Sequence, residues 1–440
     1  MSDADSSNTF LLFGDVHFNP FADASLVPLL AASDVSQWKT ILSSSSQTAY
    51  AAYGQDSNYS LFESALDDMA ARAGNVSVVI YPGDILSHYF GTDYASLTGD
   101  TSQEGLNAFI QKTVTFFAQE VDSRFPDATI IVANGNADSA YGETGSQPGD
   151  PFLSLSAPVF AQTFFNDAAS QTAFAVSYSM GGYYAVSPDG PTGIKYISLN
   201  DNLWANEVGD PAAGAMELAW FASELADSAQ NFQKVYVVAH IPTGAIASSV
   251  AGTYEATGQV SYTGTLANAF NDAFEGLELA YSGTIAANFV GHTHNDDFRL
   301  ITSYDGSGAA ELQRVTPSIS PVFGNNPGYQ LYTYDPMTYS LVDETTYALD
   351  LQSSSPKWSL EYDYAATYGQ DLSTPSAWYA AYAEILTNPV AQSAYLTNLS
   401  QGATSAGSLG AVTTAATLLT PGFTTQTAYD AAGSLLLGKA

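Results

Sequence analysis

A chain of 440 residues with 46% hydrophobic content can bury a large core, as one large domain with an appendage or as two to three small ones. Ten Lys and Arg against 44 Asp and Glu leave a net charge of −34, which repels nucleic-acid backbones and anionic membranes and excludes a basic nucleic-acid groove. No cysteine is present, which removes disulfides and thiolate metal sites, and no apolar run reaches the roughly 18 residues of a membrane span.

The polar start, MSDADSSNTF, leads at once into an apolar run and reads as a mature chain from which a signal has been removed. Short apolar runs then recur, each ending in a polar cluster: TFLLF then GDVH, VSVVIY then PGD, ATIIVA then NGNAD, KYISL then NDN, VYVVA then HIP, ANFV then GHTH. Runs of four to six such residues predict strands buried on both faces. Between them SLFESALDDMAARAG, GLNAFIQKTVTFFAQEV and AMELAWFASELADSA carry helical spacing, the last with an expected core face of Met216, Leu218, Ala219, Phe221, Ala222 and Leu225. Alternating strands and helices predict a layered α/β fold with ligands at the carboxyl ends of the strands. From about residue 297 antiparallel strands are expected, with turns at Asp305-Gly306 and Asp335-Pro336. From Ser373 onward the Ala-, Leu- and Thr-rich chain predicts a small helical lobe.

All five histidines, His17, His88, His240, His292 and His294, fall just after predicted strands or in those loops. So do Asp15, Asp84 and Asn136. His292 and His294 sit two apart, which points them the same way on an extended segment. Each cluster alone is a weak signal; gathering every histidine at one rim is a strong one. Imidazole nitrogen with carboxylate or amide oxygen suits hard or borderline divalent ions, and Asp84 is central enough to bridge two of them. Two cations roughly 3.5–4 Å apart can hold a bridging hydroxide for attack on phosphorus.

G-D-x-H, G-D-x-x-x-H, G-N-x-D, H-I-P and G-H-T-H, in this order, resemble the calcineurin-like metallophosphoesterase superfamily. Within it, GDILSH (83–88), SLNDNLW (198–204), ELAW (217–220), HIPTG (240–244), GHTHNDDF (291–298), SPVFGNNPGY (320–329) and YDYAATYGQDL (362–372) are similar to the acid sphingomyelinase-like phosphodiesterases. The likeness spans roughly residues 9 to 400. It implies a four-layer αββα sandwich over residues 9–350 and a mostly helical subdomain over 351–440. It also implies two divalent metal ions, zinc by preference with iron or manganese as alternatives. Asp15, His17, Asp84 and His294 would hold the first; Asp84, Asn136, His240 and His292 would hold the second. His88 would lie beside the phosphate and donate a proton or hydrogen bond, completing a catalytic set with Asp84 and Asn136.

Two departures qualify that expectation. The family pattern G-N-H-[DE] appears as Gly135-Asn136-Ala137-Asp138, so one histidine is missing, by natural loss, by engineering, or by transfer of the acid role to His88. The lipid-presenting module of true sphingomyelinases has no counterpart either. The expected function is therefore hydrolysis of phosphodiesters, with an impaired metal- and phosphate-binding homologue, or a phosphomonoesterase or nucleotide hydrolase, as the alternatives. The expected partner is a small phosphoester, nucleotide-like or a phospholipid head group, and the sequence assigns no oligomeric state. Phe18, Tyr89, Phe90, Tyr141 and Trp204 are candidates to stack a base or to cover an acyl or choline group, with simple packing as the alternative. A polar surface built from Ser, Thr, Asn, Gln and Tyr predicts an extracytoplasmic, acidic setting; an ordinary acidic secreted or halotolerant protein is the competing expectation.

Overall fold

The computed structural model describes residues 8–190, 193–206, 208–303, 310–403 and 411–436. Each predicted apolar run is a strand: β1 (Thr9–Leu12), β2 (Val78–Tyr81), β3 (Thr129–Val132), β5 (Lys195–Ser198), β6 (Val235–Val238) and β7 (Ile285–Val290), with a short strand β4 (Tyr184–Val186) before β5. Then follow β8 (Asp297–Thr302), β9 (Ala310–Val315), β10 (Gly328–Tyr334), β11 (Leu341–Leu349) and β12 (Trp358–Asp363).

Two six-stranded sheets result, ordered β12-β11-β10-β1-β2-β3 and β4-β5-β6-β7-β9-β8. β1, β2 and β3 run parallel in the first, and β5, β6, β7 and β9 run parallel in the second. All seven carboxyl ends therefore point to one rim. The late strands were expected to be antiparallel, but β9 also pairs in parallel with β7. The turn at Asp335 forms, closed by the Tyr339 N–H on the Asp335 carbonyl at 2.7 Å. The expected turn at Asp305-Gly306 lies outside the described residues.

The sheets face each other. The Phe10 ring of β1 lies 5.8 Å from Tyr236 and 5.5 Å from Phe289, both on the second sheet. Ser198 Oγ on β5 donates to the Val132 carbonyl of β3 at 3.0 Å. Helices Tyr59–Ala73 and Gln103–Arg124 cover the outer face of the first sheet; Pro211–Gln230 and Asn268–Ala280 cover that of the second. The result is the expected αββα layering. Helix starts follow from the local sequence: Asn58 and Ser102 each accept a first-turn N–H, and Asp210 does so just ahead of Pro211.

One helix differs from expectation. In helix Pro211–Gln230, Met216 and Ala219 are exposed and Glu217 is buried instead, its Oε1 accepting the Asn200 N–H at 2.5 Å. A carboxylate that binds backbone outcompetes an apolar side chain for that inward position. β12 pairs with β11, and the helical region follows it from Tyr364. Its last helices, Ala411–Leu419 and Gln426–Leu436, share an apolar cluster with helix Ala247–Thr257 through Ala416, Leu419 and Tyr429 against Val250 and Ala251.

Candidate metal centre

Where the strand ladders end, backbone polar groups lose their partners, and the loops supply new ones. Asp138 is the organiser between β2 and β3. Its carboxylate accepts from Asp84 N at 2.9 Å, Ile85 N at 2.8 Å, Leu86 N at 3.1 Å and Gly135 N at 3.1 Å. Asp201 does the same beyond β6, accepting from the N–H groups of His240 and Ile241 at 3.2 and 2.8 Å. Close approach demands glycine at position 135, where a Cβ would stand 2.1 Å from Asp84 Oδ1. Asp15, His17, Asp84, His292 and His294 all have φ between 44° and 70°. Left-handed backbone costs ~1–3 kcal/mol at each such residue, so its concentration here marks a functional rim.

The geometry brings the seven expected ligands together. Asp84 Oδ2 lies 3.2 Å from His17 Nε2 and 3.3 Å from His240 Nε2. His17 Nε2 lies 3.1 Å from His294 Nε2, which is 3.6 Å from Asp15 Oδ1. Asn136 Oδ1 lies 2.9 Å from His240 Nε2 and 2.7 Å from His292 Nδ1. Asp15, His17 and His294 can share one ion, and Asp15, Asp84 and His240 can share another.

The donor set tests whether cations fit. His17 Nδ1 faces the Leu86 carbonyl at 2.9 Å and His240 Nδ1 faces the Pro82 carbonyl at 2.8 Å. A carbonyl only accepts, so both rings donate from Nδ1 and turn Nε2 toward the oxygen and nitrogen atoms of neighbouring side chains. Asp15 Oδ2 is buried without a hydrogen-bond partner among the described residues. Nitrogen and oxygen atoms converging on one another in a buried rim are what a cation satisfies. Protons can take that place only in part. Burial pushes His17 and His240 down, but the Asp84 carboxylate outweighs it and lifts them to about 9 and about 10. Burial raises Asp84, yet the facing His240 and His17 hold it well below its usual range. Burial and the neighbouring His240 force His292 down to about 3, and burial with His17 forces His294 well below its ordinary value.

His88 stands at the edge. Its Nδ1 meets Asp56 Oδ1 at 2.9 Å, its N–H donates to Asp56 Oδ2 at 2.8 Å, and its ring stacks on His17 at 4.1 Å. Its Nε2 is left toward the rim, 4.0 Å from Glu143 Oε1. Asp56 was not anticipated: it lies in a loop with no periodicity, and only its place between β1 and β2 hinted at it. Phe323, also unanticipated beyond its motif, sets its ring 4.6 Å from His294 and 5.7 Å from His88. Of the candidate aromatics, Phe18, Phe90 and Trp204 are buried in the core, because their rings fill gaps beneath the loops, while Tyr89 and Tyr141 are exposed. Ala137 retains a role through its N–H, which donates to Asp84 Oδ1 at 2.8 Å. No described helix is long and apolar enough to cross a membrane.

No protein-family model matches the chain. It is 30% identical over 348 residues to the cyclic GMP-AMP phosphodiesterase SMPDL3A of Homo sapiens, across 74% of this chain and 68% of that one. To sphingomyelinase phosphodiesterase D of Dictyostelium discoideum it is 27% identical over 334 residues, across 73% and 68%. Among solved structures, a dimetal phosphatase from Danio rerio aligns with 78% of this chain and 96% of its own at a TM-score of 0.41 and 12% identity. Identity of that extent over two thirds of the human relative places the chain in the acid sphingomyelinase-like phosphodiesterase family, whose members are hydrolases of phosphoesters.

Proposed function

We propose that Asp15, His17, Asp84 and His294 hold one divalent cation and Asp84, Asn136, His240 and His292 the other, with Asp84 shared, and that the pair is zinc. Imidazole-rich, thiolate-free sites with carboxylate and amide oxygen suit that ion. The observation that carries the reading is the position of Asp84 Oδ2, between the Nε2 atoms of His17 and His240. When bound, such a pair neutralises charge on phosphoryl oxygens and activates water for attack on phosphorus.

The chain's own residues do the rest. Asp56 fixes the His88 ring through Nδ1 and its backbone N–H, which leaves His88 Nε2 free to carry a proton toward the leaving oxygen. The Ala137 and His292 N–H groups anchor Asp84 and Asp15, so neither carboxylate swings as charge builds. Phe323 covers His88 and His294 and limits access of water from that side.

A cavity of about 620 Å³ opens over this rim, bordered by His88, Asn136 and His292, by Arg299, and by Thr413 and Thr417 of the helical lobe. It has the size for a nucleotide-sized diester. A soluble phosphodiester, as for the relative named for cyclic GMP-AMP, is the substrate class we favour over bilayer sphingomyelin. The carboxylate-rich surface fits a secreted or periplasmic location. The test is turnover of bis(4-nitrophenyl) phosphate by zinc-loaded protein, with elemental analysis of the same sample. Turnover abolished by chelation and restored by zinc supports the reading. Bound metal without turnover would instead make the chain a binding homologue, the outcome that Ala137 favours.

A further inference from the structure

Beside the metal rim lies a second cavity of about 480 Å³, bordered by Ser87, Tyr89, Phe90, Ala137, Tyr141 and Glu143. Ser87 is 2% exposed, and its hydroxyl finds no hydrogen-bond partner among the described residues. A buried hydroxyl left unpaired is unfavourable, so an occupant that can bond to it gains. Tyr89 and Tyr141 are 75% and 53% exposed, large phenol rings left in solvent at the border of a hollow. Phe90 supplies an apolar wall, and the short Ala137 side chain leaves the space empty. Glu143 borders this cavity and the one over the metal ligands, and its Oε1 reaches Asn136 Nδ2 at 3.5 Å.

An alkyl chain would leave Ser87 and Glu143 facing hydrocarbon. A flat ring with a polar edge meets all of these groups: faces for the phenols, an acceptor for the Ser87 hydroxyl, and an N–H for the Glu143 carboxylate. We infer that this cavity binds a flat heterocycle with an N–H on its edge, a purine or pyrimidine base, as one arm of the diester whose phosphorus lies at the rim. The second half of that inference rests on the phosphodiesterase reading; the base site itself does not.

Saturation-transfer NMR with adenosine, and with ribose as the control, separates the two. Saturation should reach the base protons H2 and H8 and pass ribose by. Ala137→Leu, which fills the cavity, should abolish the transfer, and Tyr141→Ala should weaken adenosine binding about tenfold by loss of a stacking face. Tyr141 is exposed, so this second variant decides the matter even if the first does not fold. No transfer to H2 and H8, or transfer undiminished in Tyr141→Ala, overturns the base site. In turnover, thymidine 5′-(4-nitrophenyl) phosphate should exceed methyl 4-nitrophenyl phosphate at least about tenfold in kcat/KM. Equal values for the two esters overturn the cavity's part in substrate binding. Adenosine binding in a chain that cleaves neither ester would sink the phosphodiesterase reading and uphold the base site.

Discussion

Two buried charged clusters sit within a few residues of each other in sequence and behave in opposite ways. Around Arg314 the guanidinium and its two acids meet partners on several sides. The guanidinium meets Asp296 at 3.3 Å and Glu344 at 2.6 Å; Tyr362 donates to both acids at 2.9 and 2.8 Å; Thr346 donates to Asp296 at 2.9 Å and Gln330 to Glu344 at 2.9 Å. Arg314 belongs to one sheet and Glu344 to the other, so this closed network ties the sandwich together. The rim cluster, which ends at His294, two residues before Asp296, is open: among the described residues Asp15 Oδ2 and His294 Nδ1 lack partners, while imidazole nitrogens and the Asn136 amide oxygen crowd within 3.1 Å of one another. A network completed by side chains is structural; one that side chains leave incomplete is built for something added to it.

The strongest way to break this contrast is at Asp84. Asp84→Asn should lower kcat/KM by about 10³-fold or more, because several kcal/mol of metal-borne charge stabilisation is lost. Metal content measured on the same variant should fall below that of the native chain. Arg314→Leu should do the reverse. Removing one partner of a buried ion network costs ~3–5 kcal/mol, read as a lower Tm, whereas bound metal per folded chain stays unchanged. If both variants shifted stability alone, the two clusters would be alike and the contrast would fail. His88→Ala should cut turnover of an alkyl diester about 10²–10⁴-fold, the usual weight of general acid catalysis. It should barely affect 4-nitrophenyl esters, whose leaving group needs no proton; an equal loss for both would remove His88 from that role.

The smallest effect concerns pH. Burial raises Glu275 to about 7 and Glu278 to about 8, both on helix Asn268–Ala280. The folded chain therefore holds these protons more tightly than the unfolded chain. Their contribution to stability is complete below the unfolded value near 4.5 and is lost as pH rises through 7 to 8. Tm of the metal-free protein should decline between pH 5 and 8; a rise would refute the assignment. Such an interior suits an acidic setting.

Much of this was legible in the sequence because both signals are simple. Continuous apolar runs such as VYVV cannot be half-exposed strands, and a chain with five histidines shows plainly where they gather. The polar clusters after those runs then fix the rim. What stayed hidden depends on partners distant in sequence. Asp56 reaches His88, and Asp201 reaches His240, by loop paths that no periodicity encodes. Glu217 occupies a buried position for the sake of one backbone N–H of Asn200, against the helical pattern that favoured Met216. The helical pair Pro151–Phe164 and Ala168–Gly181 was not foreseen, since its Ser-, Ala- and Phe-rich sequence fits neither period cleanly. The cavity at Ala137 was visible only as a missing imidazole, not as a space.

The central claim is that two cations share Asp84 at this rim. Anomalous diffraction at the zinc edge from a crystal of the zinc-loaded chain measures it directly. Two peaks should appear, one beside Asp15, His17 and His294, the other beside Asn136, His240 and His292, with Asp84 between them. A single peak, or peaks away from Asp84, would contradict the account.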